Sequence, residues 1–165
     1  MKTSSIAAFA LSVVLATLPA AAECTDPPQP KVNWRRCYFD GRELTGVNLT
    51  EAELRDATFV RATLKDATFA RADAYRAKFN SATMPGAKMD GARLIEADFT
   101  RADLTGASFR EADLRNAKLV NATLKNADFT GAQLNGADFR HADLSGATWI
   151  DGKRVCADSS VGQCN

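Results

Sequence analysis

Four cysteines, a single histidine and a series of regularly placed aspartates are the residues of this chain whose types could carry chemistry. Cys24 and Cys37 lie near its start, and Cys156 and Cys164 near its end. Thiolates can hold a metal, attack a substrate or close disulfides, and four of them allow three pairings. One histidine, His141, and thiols so far apart in sequence make a poor zinc site, which leaves structural disulfides as the better reading. Aspartates 98, 103, 113, 128, 138 and 143 are numerous enough for acid–base work, which needs carboxyls converging on one point. Each of them, however, stands directly before a large apolar residue in a repeating frame. An Asp in that place bonds the backbone amide of a following turn. His141 falls on an outer corner of the same frame. Neither a glycine-rich phosphate loop nor a nucleophile elbow is present, so no catalytic residue, metal ligand or cofactor is expected, and an enzyme is not expected.

The elements that position these residues begin after a leader. Lys2 supplies a positive start, Ile6 to Leu18 form an uncharged apolar run, and Pro19-Ala20-Ala21-Ala22 offers small residues to a signal peptidase. Residues 1–22 therefore read as a signal peptide cleaved after Ala22. The apolar run is too short for a stable membrane span, which takes about 20 residues. Glu23 opposes a lipid anchor on Cys24. Loss of residues 1–22 removes Lys2 and no acid, leaving 20 Lys+Arg against 20 Asp+Glu. Zero net charge argues against non-specific binding of nucleic acid and against a strongly anionic imitation of it. Export to the periplasm or beyond allows disulfides to persist.

Periodicity dominates the rest. Alanine occupies every fifth position from Ala52 to Ala147, and two residues after each comes a large apolar residue, such as Leu54, Phe59, Leu64 and Phe69. The phase runs back through Leu49, Leu44, Phe39 and Trp34, with Val47, Arg42 and Cys37 in place of alanine. A period of five fits neither the 3.6 of a helix nor plain strand alternation. Locally, however, Ala and Leu/Phe two apart share one side of an extended chain, and the residues between are turn-compatible. Each quintet is a short strand plus a corner. Neither can bury itself alone, so quintets must coil and stack.

Ala-Asp-Leu-Thr-Gly, Ala-Asp-Phe-Thr-Arg, Ala-Asp-Leu-Arg-Asn and Ala-Asp-Leu-Ser-Gly are similar to the pentapeptide-repeat family, whose signature is Ala-(Asp/Asn)-Leu-X-X. The resemblance covers about residues 34–151 and implies an all-β fold, a right-handed quadrilateral β-helix with four quintets per coil. Departures are local: Ala74 stands where a large central residue belongs, and Pro85 follows Met84. Residues twenty apart should then stack. One wall would read Trp34, Leu54, Ala74, Leu94, Leu114, Leu134 and the next Phe39, Phe59, Phe79, Phe99, Leu119, Phe139. The third would read Leu44, Leu64, Met84, Leu104, Leu124, Leu144 and the fourth Leu49, Phe69, Met89, Phe109, Phe129, Trp149. Aliphatic walls oppose each other, as do aromatic ones. About six coils at roughly 4.8 Å each give a column about 28 Å tall. On that implied column Cys24 and Cys37 lie at one end and Cys156 and Cys164 at the other. A bridge needs Cα atoms roughly 5–6 Å apart, so the pairs are Cys24–Cys37 and Cys156–Cys164. The chain then divides into a signal peptide (1–22), an N-terminal cap (23–37), the solenoid (38–151) and a C-terminal tail (152–165).

Binding is the function left to such a column. Exposed apolar residues are few: Val60, Tyr75, Ile95, Val120 and Ile150. Tyr75 and Ile95 are neighbours on one wall, and Arg55 and Arg115 continue their line, so Arg55, Tyr75, Ile95 and Arg115 form the candidate contact strip. The leading expectation is an exported scaffold that binds an unknown protein or envelope component. The alternative, topoisomerase protection by DNA mimicry, follows from resemblance to quinolone-resistance members of the family, and neutral charge and export oppose it. An ice- or glycan-binding wall would need a ladder of one residue type, and threonines 58, 63 and 68 fall on three different walls.

Overall fold

A computed structural model describes residues 24–165, and the signal-peptide reading of residues 1–22 lies outside the described residues. The quintets fold alike. In each, the central carbonyl accepts a hydrogen bond from the N–H of the alanine three places on, as from Ala57 to Leu54 at 3.0 Å and from Ala102 to Phe99 at 2.9 Å. That bond closes a β-turn, so the chain changes direction every five residues. The third residue of every turn, from Lys31 to Gly146, takes a φ between +55° and +73°. Glycine does so freely. Arg71, Glu111 and His141 do so at a cost of roughly 1–2 kcal/mol each, which the stacking around them must offset.

Four turns bring the chain back over itself. Parallel bridges join residues twenty apart without interruption, from Asn33 with Glu53 to Asp128 with Thr148. The N–H of a central residue donates toward the next coil, as from Leu94 to the Asp113 carbonyl at 2.8 Å. The N–H just before a centre donates back, as from Asp113 to the Ala92 carbonyl at 2.9 Å. These interlocked ladders make a quadrilateral β-helix, and the described residues contain no α-helix. The ladder already starts at Asn33, inside the stretch 23–37 read as a cap, because Val32 and Trp34 are buried as first-coil residues.

Alanine methyls and large apolar side chains fill the interior, and nearly all of them are wholly inaccessible to solvent between Leu49 and Phe129. Rings of one aromatic wall stack between coils: Phe59–Phe79 at 5.1 Å and 4°, Phe79–Phe99 at 4.9 Å and 5°. On the opposite wall Phe109 and Phe129 stack at 5.1 Å and 1°. The two aromatic walls meet across the core edge to face, as in Phe69–Phe79 at 5.7 Å and 85°. Both arrangements suit the ring quadrupole. The sorting of aromatic and aliphatic centres onto alternate walls thus yields one continuous ring lattice.

The two ends are closed differently. At the N-terminus the Cys24–Cys37 disulfide, Cα–Cα 5.4 Å, holds the proline-rich segment against Trp34, whose indole N–H donates to the Asp26 carbonyl at 3.2 Å. At the C-terminus the chain reverses at Gly152 and runs antiparallel over the last coil, bridging Val155 to Thr148 and Val161 to Asp143. The Cys156–Cys164 disulfide, Cα–Cα 4.8 Å, then draws it back.

Two outcomes test this packing. Phe99→Ala empties a ring site between Phe79 and Phe109, and denaturant titration should show a loss of roughly 3–5 kcal/mol. A Cβ at Gly106 meets no atom within 4 Å, whereas at Gly136 it runs into the Asn116 amide oxygen. Gly106→Ala should therefore cost only the left-handed backbone, roughly 1–2 kcal/mol, and Gly136→Ala about the same, because the exposed Asn116 side chain can swing aside.

Candidate functional site

Outward positions are fixed by the same frame: the residue before each centre and the two after it. The six aspartates occupy the first of these. Each accepts a hydrogen bond from the backbone N–H two residues on: Thr100 to Asp98 at 2.9 Å, Thr105 to Asp103 at 3.1 Å, Arg115 to Asp113 at 3.3 Å. The same bond runs from Thr130 to Asp128 at 2.9 Å, Arg140 to Asp138 at 3.1 Å and Ser145 to Asp143 at 3.1 Å. These carboxylates brace turns.

The electrostatics of Asp98, Asp113, Asp128, Asp138 and Asp143 agree. The Ser145 hydroxyl and N–H hold the Asp143 carboxyl below its ordinary range. Arg115 does the same to Asp113, and Arg140 to Asp138. At Asp98 and Asp128 partial burial pushes the pKa upward, but hydrogen bonds led by those from Thr100 and Thr130 outweigh it. A general acid at neutral pH needs the opposite shift. His141 is exposed at an outer corner. Among the described residues no group of three or more His, Cys, Asp or Glu could hold a metal.

The wall bearing Arg55, Tyr75, Ile95 and Arg115 carries a network of cation–π contacts, hydrogen bonds and ion pairs. Consecutive members lie in adjacent coils, since the N–H groups of Asp56, Arg76 and Glu96 donate to the carbonyls of Tyr75, Ile95 and Arg115. The guanidinium of Arg55 lies 5.1 Å from the Tyr75 ring centroid and that of Arg93 5.0 Å, with Arg76 at 5.9 Å. Arg93 also donates to both carboxylate oxygens of Asp73 at 3.1 and 3.3 Å, and the Tyr75 hydroxyl donates to Glu96 at 3.4 Å. Tyr75 thus stands outside the column and does not fill the space beside the buried Ala74 methyl. Ile95 is half-buried, so the strip is a cation–π plate with an aliphatic flank. At its N-terminal end a cleft of about 470 Å³ is lined by Arg35, Arg36, Arg55 and Asp56.

Two surface features escaped the sequence reading. Tyr38 is 77% exposed, the most open large apolar side chain among those described. Its place just before Phe39 assigns it outward by the repeat phase alone. Thr63 and Thr83 pair on one wall, with Asp103 and then Thr123 above them. Comparing threonines 58, 63 and 68 overlooked this short ladder, which Asp103 interrupts.

The fold and its outward groups define a solenoid with turn-bracing carboxylates and a strip of arginines around Tyr75. Family comparison agrees. The model for pentapeptide repeats matches residues 43–80, 75–110 and 107–146, with eight copies. The chain belongs to the pentapeptide-repeat family, whose members fold as right-handed quadrilateral β-helices. Among solved structures it is similar to HetL, a pentapeptide repeat protein involved in heterocyst differentiation regulation from the cyanobacterium Nostoc sp. strain PCC 7120. Identity is 30% over 74% of this chain and 64% of HetL, with a TM-score of 0.54. The chain thus spans about two thirds of HetL's length. A trypsin-treated form of QnrB1, a plasmid-mediated fluoroquinolone resistance protein, is 27% identical over 72% of this chain and 63% of its own, at TM-score 0.45. Rfr23 from the cyanobacterium Cyanothece 51142 is 23% identical over 68% of this chain and 90% of its own, at TM-score 0.49. No curated protein matches. Among the described residues no helix is long and apolar enough to cross a membrane.

The depressed aspartate pKa values have a defined sign. Their stabilisation is complete above the ordinary value of 3.8 and is lost as pH falls through the lower folded-state values. The melting temperature should be flat near neutral pH and drop below about pH 4. Asp143→Ala should lose roughly 0.5–1.5 kcal/mol at pH 7 and show a shallower acid decline, read by circular dichroism melts.

Proposed function

We propose that this chain is an exported, non-catalytic scaffold of about six coils that binds a protein or envelope component through the wall carrying Arg55, Tyr75, Ile95 and Arg115. The observation that carries the reading is the Tyr75 ring held between Arg55 and Arg93 at 5.1 and 5.0 Å. An aromatic plate fixed by two cations loses little freedom on binding, and Tyr and Arg are the residue types on which interface energy concentrates. Export rests on the leader at residues 1–22 and on two disulfides that suit an oxidising compartment. In this reading the mature chain begins at Glu23 and resides in the periplasm or outside the cell.

Topoisomerase protection is the second reading, since QnrB1 is a fluoroquinolone resistance protein of the same fold family. Twenty cations against 20 anions in the mature chain do not imitate the continuous negative charge of DNA, and export removes the chain from that target. Unchanged supercoiling by gyrase in the presence of purified protein would dispose of it.

In-cell crosslinking followed by mass spectrometry tests the leading reading. The protein should capture a specific partner, and Tyr75→Ser with Ile95→Ser should cut that capture about tenfold, the equivalent of 1.4 kcal/mol, with the melting temperature unchanged. Equal capture by the double variant would remove the strip from the interface.

A further inference from the structure

The tail caps only half of the column's C-terminal end. Over two walls its backbone meets the last coil: Leu144, Gly146 and Trp149 donate to the carbonyls of Ser160, Cys156 and Arg154 at 2.8–2.9 Å. In return Cys156 and Gly162 donate to the carbonyls of Ala147 and Ala142. Past Gly162, which packs beside the backbone of Phe139 and His141, the Cys156–Cys164 disulfide turns the chain back before it pairs with the two remaining walls. There the equivalent groups of the same coil, the N–H of Leu134, Gly136, Phe139 and His141 and the carbonyls of Ala132 and Ala137, have no backbone partner among the described residues. Leu134, Ala137 and Phe139 are also partly open to solvent, whereas Leu114, Ala117 and Leu119 one coil below are sealed.

The open half repeats the capped half in chemistry. Running antiparallel, the tail crosses first an aromatic centre, Trp149, and then a leucine, Leu144, with alanine carbonyls at the corners. The open walls offer, in the same direction, Phe139 and then Leu134, with Ala137 and Ala132 at the corners. The spacing of donors and acceptors is the same, since both halves belong to one repeat. Exposed strand edges of this kind take a further strand by backbone pairing.

We propose that the open half of the C-terminal end receives an extended segment of a partner protein, built like the chain's own tail. Two short extended stretches, separated by a turn, run antiparallel over Phe139 and Leu134. Their carbonyls accept from Leu134, Gly136, Phe139 and His141, and their N–H groups donate to Ala132 and Ala137. Small or apolar side chains on them close the core. The partner's being a protein follows the scaffold reading, but this end is separate from the Tyr75 strip.

Amide hydrogen exchange on the mature chain, with a synthetic disulfide-closed peptide of residues 153–165 as the probe, tests the idea. With peptide at about ten times its Kd, exchange at Leu134, Gly136, Phe139 and His141 should slow about tenfold. Amides of Leu144, Gly146 and Trp149, already bonded to the tail, should not change. The same peptide N-methylated at Cys156 and Gly162 should give no protection, and Phe139→Asp should weaken the effect about tenfold. Tyr75→Ser with Ile95→Ser should leave it intact, so failure of the strip and failure of the edge are read separately. Unprotected amides at saturating peptide would overturn the proposal. So would protection in the peptide-free protein that grows with its own concentration, which would assign the edge to a second copy.

Discussion

Register between coils is the constraint on which the rest of this molecule depends. Along each wall the backbone hydrogen bonds join residues 19 or 21 positions apart, which sets bridge partners twenty apart, so every quintet must turn through the same angle for the next coil to lie over the last. One quintet of different length would shift all later partners and carry large side chains out of the core. The tight turn, with its left-handed third residue, is therefore used uniformly, even where Arg71 or Glu111 must adopt it. The inward alanine is the other half of the requirement, since only a methyl fits where successive walls meet. Stacked rings then follow, because residues held in register by backbone bonds bring like side chains to a spacing near 5 Å.

A fold of this kind separates interior from exterior so completely that chemistry has little room to arise. Inward side chains are apolar and sealed, while outward ones lie on nearly flat walls where few groups converge. The aspartates that look catalytic by number are spread over the walls, and each is occupied with its own turn. What the walls do allow is a graded surface, and on one of them Arg55, Arg93 and Arg76 converge on Tyr75. The ends offer a second kind of surface, because a helical ladder must stop somewhere.

The stops are also where local rules give way to particular solutions. At the N-terminus, prolines and a disulfide hold a segment against Trp34 without joining the ladder. At the C-terminus, a reversal at Gly152 lets the chain pair with its own last coil, and a short disulfide loop limits how far that pairing extends. Each disulfide ties a segment outside the repeat to the end of the column: Cys24 to Cys37, which fills an alanine position of the first coil, and Cys164 to Cys156, which pairs with the last.

The spacing of alanine and large apolar residues was enough to read the repeat and the outward place of each aspartate, while the four walls, and with them the cysteine pairs, came from the resemblance to the pentapeptide-repeat family. A twenty-residue register then makes sequence distance a direct measure of spatial neighbourhood. Tyr38 and the Thr63–Thr83 pair were readable by the same rule. Other features were decided only in three dimensions. The arginines around Tyr75 choose among acidic and aromatic partners in several coils, and the rotamers that bring Arg93 to both Asp73 and the ring do not follow from position. The tail has no period, so its antiparallel course and the two walls it leaves uncovered depend on where Gly152 turns and how tightly Cys164 returns to Cys156. Repetition makes local sequence and global structure equivalent along the column. Where repetition ends, only tertiary contacts choose the path.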